Sequence, residues 1–169
     1  MLTQYKHVTI VNYDGPPTSD EIAALETELG AGLPPKFRDF LDVANGGYLP
    51  YLVNVPPAPD GEPMSFNRIF STRPNANGEL SYGTFIGELR NKPKMLGIPD
   101  KVLPFADDGG GSSIYLDLTV EGKGRVVAFI HGLPSWTGLR EQDAFVEVAD
   151  TFSHFVGQLY VDPDDDWTE

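Results

Sequence analysis

The phrase DDGGGS, residues 107–112, is the most site-like stretch of the chain. Consecutive glycines can turn their N–H groups toward an anion. Here, however, a strand pattern follows the glycines, where phosphate loops lead into a helix. No Lys stands in the phrase, and Asp107 and Asp108 would repel a phosphate. The same two acids with Asp117 suggest a calcium loop, yet they lack the EF-hand spacing and its closing Glu. A plain β-turn is therefore expected, with no metal and no cofactor. His7, His131 and His154 show no ligand spacing, and no G-x-S-x-G elbow is present. Cysteine is absent altogether, which excludes disulfides, thiolate zinc sites and cysteine nucleophiles. Carboxylates are so numerous that no pair singles itself out as an acid–base couple. The residue types point to no catalytic chemistry.

The elements that would position any site are more legible. Residues 5–13 alternate as a first strand, with Val8 and Ile10 against His7 and Thr9. Thr18 and Glu21 have capping-box spacing, Ile22, Leu25 and Leu29 share one helical face, and Gly30 suits the C-terminal stop. In LPPKFRDFLDVANGG (33–47), Pro34 and Pro35 suit a first helical turn. Phe37, Phe40, Leu41 and Ala44 then form an apolar stripe, and Asn45-Gly46-Gly47 ends the helix. Residues 48–63 read as a short strand and a Pro-rich loop, 64–71 as a strand, and 79–92 as a helix carrying Leu80, Phe85, Ile86 and Leu89. Leu103–Ala106 is a short strand. Ile114, Leu116 and Leu118 alternate with Tyr115, Asp117 and Thr119 as a half-buried strand, EGKG turns the chain, and residues 125–132 return as a hairpin partner. Residues 144–148 read as the last strand. Asp150 then caps a helix with Phe152, Phe155, Val156 and Leu159 on one face.

At 169 residues, 40% hydrophobic and 22% charged, the chain suits one globular domain large enough to need no staple. No basic stretch leading into an apolar core opens the sequence, and no apolar run approaches the roughly 18 residues of a bilayer span. A cytoplasmic protein without a membrane is the expectation. Charge is the strongest compositional signal. The net charge is −13, and after Arg140 there is no Lys or Arg, while nine acids fall in residues 141–169. Phosphate binding needs cations, so nucleic acid is excluded as a partner. Residues 162–169 hold five acids and form a tail expected to be mobile beyond a domain of residues 1–161.

Taken in order, GAGLPPKFRDFLDVANGG, FNRIFS, VLPFADDGGGSSIYLDL, GRVVAFIHG and ADTFSHFVGQLY resemble the SUKH superfamily over roughly residues 18–160. Its founding members are fungal cell-wall-synthesis regulators, and most bacterial members are immunity proteins of polymorphic toxin systems. The resemblance implies a single α+β domain, in which helices pack against a twisted, mainly antiparallel β-sheet, and no catalysis. It implies a protein-binding role, either neutralising a cognate toxin or serving as a regulatory scaffold. Many such toxins are nucleases, whose surfaces are basic, and an acidic inhibitor would be steered to them. The expected partner is thus a basic toxin domain; the oligomeric state is left open. Candidate partner-binding residues are the acids and aromatics near the sheet's loops: Tyr48, Tyr51, Asp107, Asp108, Tyr115, Asp117, Trp136, Glu141 and Asp143. For each aromatic, ordinary packing is an equally good explanation.

Overall fold

A computed structural model describes residues 1–11, 14–56, 62–66, 68–96, 98–132, 136 and 142–164. The first departure from the sequence pattern comes at once. Instead of one strand over 5–13, β1 (Leu2–Tyr5) and β2 (Val8–Val11) form an antiparallel hairpin. Lys6 takes the left-handed turn position with φ 53°, a role that pattern reading assigns to Gly, Asn or Asp. Val8 and Ile10 are buried, as the alternation predicts, while residues 12 and 13 lie outside the described residues.

Helix α1 (Ser19–Leu29) forms where expected. Thr18 Oγ1 accepts from the Glu21 N–H at 3.2 Å, Glu21 Oε2 accepts from the Thr18 N–H at 2.9 Å, and Gly30 closes the helix at φ 75°. Glu21 also accepts from Thr72 and Arg73, so the box doubles as a tie to a distant loop. Burial pushes the Glu21 carboxyl up, but these bonds outweigh it and hold its pKa below the usual range. Thr18→Ala is expected to cost about 1 kcal/mol, read as a shift in the urea midpoint.

Helix α2 (Pro35–Ala44) carries the predicted stripe: Phe37, Phe40, Leu41 and Ala44 are all buried. Helix α3 (Phe85–Leu96) starts later than the sequence suggests, because residues 75–84 are held in turns by the Asn75 side chain and by Thr84. Leu80 is left exposed. Helix α4 (Phe152–Gln158) buries Phe152, Phe155 and Val156, with Leu159 buried just beyond its end. Its cap is Thr151, which accepts from the His154 N–H at 3.1 Å; Asp150 instead bonds the His154 ring at 2.8 Å.

The remaining strands divide between two sheets, all pairs antiparallel. One is ordered β10-β3-β4, from β3 (Leu49–Val55), β4 (Glu62–Phe66) and β10 (Tyr160–Val161). The other runs β5-β6-β7-β8-β9, from β5 (Arg68–Ile69), β6 (Val102–Asp107), β7 (Ser113–Asp117), β8 (Arg125–Ile130) and β9 (Ala144–Ala149). The single strand expected over 64–71 is thus split. Phe66 pairs with Leu49 in one sheet, and Arg68 pairs with Asp107 in the next. Strand β9 is not the last, because β10 follows α4 and pairs with β3. The tip of the Pro-rich loop (57–61) and the tail's end, Trp167 included, lie outside the described residues.

The core is aromatic. Phe37 meets Phe85, Phe105 and Phe152 at ring-centroid distances of 6.3, 5.5 and 5.2 Å, tying α2 to α3, β6 and α4. The turn after α2 does more than stop a helix. Asn45 is fully buried; its amide donates to Gly15 O and Thr72 Oγ1 and accepts from the Thr72 N–H at 2.8 Å. Gly46 takes φ 66°, and a Cβ on Gly47 would sit 2.7 Å from the Val11 carbonyl oxygen. Three chain segments meet here, and only glycine fits between them.

Candidate functional site

The five-stranded sheet buries both faces of its centre. Leu103, Phe105, Ile114, Leu116, Val126 and Ala128 join the main core. Ile98, Val102, Tyr115 and Phe129 form a second, smaller cluster on the opposite face. This is why β7, expected to be half-buried, is buried at every position. On that outer face the register sets Tyr115 opposite Val127, Val127 opposite Glu147, and Phe129 opposite Phe145.

Among the described residues the outer cluster does not close over. A groove of about 400 Å³ runs between the segment carrying Ile98, Pro99 and Val102 and the strand residues Tyr115, Val127 and Phe145. Its polar lining is Asp117, Thr119, Glu121 and Arg125. Phe145 is 47% exposed, although its ring lies 5.1 Å from Phe129 and 6.1 Å from Tyr115. The Tyr115 hydroxyl is buried without a partner in hydrogen-bonding geometry. Burial raises its pKa to about 12, only partly offset by the neighbouring Ser113 hydroxyl and reinforced by Glu88.

Asp117 and Arg125 form the groove's polar wall. Arg125 Nε donates to Asp117 Oδ2 at 2.9 Å, and its guanidinium also lies 3.7 Å from Glu147. Burial pushes the Asp117 carboxyl up. Bonds from Thr119 and Arg125 outweigh that push, so its folded pKa lies below its ordinary value. Such a group stabilises the fold fully above its unfolded pKa, and that stability is lost as pH falls through the folded value. Asp117→Asn is therefore expected to flatten the decline of stability below about pH 4, checked by urea melts across that range.

The other sequence candidates are scattered. Tyr51 is buried, its hydroxyl accepting from the Thr9 N–H and donating to His7 O, so it fastens the β1–β2 hairpin. Asp107 is buried against Arg68 at 2.7 Å. Both side chains make their polar contacts within the fold. Tyr115 is groove floor, fully buried, and Asp117 is nearly so. Asp108 holds the glycine turn, its Oδ1 accepting from Gly110 and Ser112 N–H at 2.7 and 3.0 Å. Tyr48 is half-buried and bridges β2 through its backbone. Trp136 is 85% exposed; Asp143, also exposed, meets the His131 ring at 3.2 Å; Glu141 lies outside the described residues. Val127, Phe145, Glu121 and Pro99 were not singled out. The available signal was apolar residues in both phases of RVVAFI and AFVEV, the mark of a strand covered on two sides.

Among the described residues, no three His, Asp or Glu side chains converge as a metal-holding set, and no helix is long and apolar enough to cross a membrane. No curated protein matches the chain. Residues 16–158 match the family model described as the SMI1 / KNR4 family (SUKH-1). That span runs from just before the Thr18 capping box to the end of α4, with the Asn45-Gly46-Gly47 crossing and both sheet cores inside it. The chain belongs to the SMI1 / KNR4 family (SUKH-1) of the SUKH superfamily.

Proposed function

We propose that this chain is a non-catalytic, cytoplasmic immunity protein that binds a basic toxin domain and blocks it. The observation that carries the reading is its one-sided charge: −13 overall, with no Lys or Arg after Arg140. Asp143, Glu147 and Asp150 are exposed in the final third of the chain, as are the rings of Trp136 and Phe145. Exposed aromatics among acids are what a basic protein surface binds well: the rings anchor, and the carboxylates steer. The described carboxylates with lowered pKa are bound to Arg, Thr or His neighbours within the fold, which supports binding over acid–base catalysis.

Co-expression tests the reading. The product of the gene beside this chain's own, the candidate toxin, is expressed in a host with no other defence, with and without the chain. Restored growth is expected. Growth arrest that the chain does not relieve, with both proteins at high level, rejects the immunity reading and leaves the regulatory-scaffold role in its place.

A further inference from the structure

We propose that the outer-face groove receives a partner segment presenting a bulky apolar side chain next to a Lys or Arg; this rests on the protein-binding reading above. The apolar half of the argument is the floor. Ile98, Val102, Tyr115, Val127 and Phe145 line a depression of about 400 Å³ that the described residues leave open. Phe145 remains 47% exposed while the rings beneath it are buried. A second apolar body would bury that ring, and burial of such area drives association. The charged half is the rim. Asp117 and Glu121 stand there, with Glu147 close by, and among the described residues the one guanidinium at the rim is Arg125, already engaged with Asp117 and Glu147. Glu121 is exposed and has no ion-pair partner among the described residues. An occupant carrying a cation gains at this rim, and one carrying a carboxylate or phosphate is repelled.

The test uses two short peptides that alternate Phe and Leu with either Lys or Glu, titrated into the full-length isotope-labelled chain. Amide shifts are expected at Thr119, Val127 and Phe145 with the lysine peptide and not with the glutamate one. Phe145→Ala and Glu121→Lys should each weaken that binding about ten-fold or more. Both positions are exposed, and an unchanged spectrum elsewhere verifies the fold. Shifts centred elsewhere, equal response to both peptides, or equal affinity of both variants would overturn the proposal. The same variants are then measured against the neighbouring toxin domain, where a comparable weakening is expected. If that domain binds the wild type and both variants alike, groove docking is wrong while the immunity reading stands. If it binds none of them, the immunity reading fails, and the peptide titration alone decides the groove.

Discussion

Phe40→Ala is expected to remove about 3–5 kcal/mol of stability, the cost of emptying a well-packed aromatic site. Phe40 is 1% exposed and lies 5.5 Å from Tyr5 and 5.2 Å from Phe152, ring centroid to centroid. Its loss therefore loosens α2 from the N-terminal hairpin and from α4 at once. Small domains are stable by only about 5–15 kcal/mol, so this variant should be partly unfolded at physiological temperature. Lys36→Ala, on the exposed side of the same helix, should stay within about ±0.5 kcal/mol. Urea melts of the pair check both values. A Phe40→Ala loss below about 1 kcal/mol would mean that the α2 stripe is not the centre of the core.

That stripe was legible because helix rules are local. Proline at the start, apolar residues at i, i+3, i+4 and i+7, and glycine at the stop all fall within LPPKFRDFLDVANGG. The Thr18 capping box was legible for the same reason. What the sequence concealed was long-range. Nothing near Lys6 marks it as a turn residue, and the hairpin it closes is held partly by Tyr51, 44 positions from the His7 carbonyl it bonds. Likewise Asn45 reads as a helix stop, while its buried amide binds Gly15 and Thr72, partners 30 and 27 positions away. The groove was hidden for a related reason. Tyr115 and Asp117 looked like polar-face residues of a half-buried strand, but on that face Tyr115 packs with Ile98, with Val102 of β6 and with Phe129 of β8 as a second core. Acid count and exposure also diverge: Asp107 and Asp117 add to the net charge yet are buried against Arg68 and Arg125.

Because those two acids are internal, any steering of a basic partner falls to the exposed ones. Under the proposed function, association with the toxin domain is expected to slow by about ten-fold or more between low salt and about 0.5 M, while dissociation changes little. Glu147→Lys combined with Asp143→Asn should slow association at low salt and flatten its salt dependence. Asparagine keeps an oxygen to accept from the Gly132 N–H, which Asp143 bonds at 2.7 Å, so the loop end is preserved. Reversing Asp107 instead would strand the Arg68 guanidinium and is expected to destabilise the fold, a different effect from slowed association. Stopped-flow mixing across a salt series separates the two. A rate that ignores salt would remove electrostatic steering and leave apolar contact as the basis of recognition.

The central claim is that the chain binds and blocks a basic toxin domain. Titration calorimetry of the purified full-length chain against the purified domain encoded beside it, with the domain's activity assayed on the same samples, tests it most directly. Saturable binding, with activity falling in step with occupancy, is the predicted result. A domain that stays fully active in the presence of excess chain, with no heat of binding at any temperature tried, would contradict it.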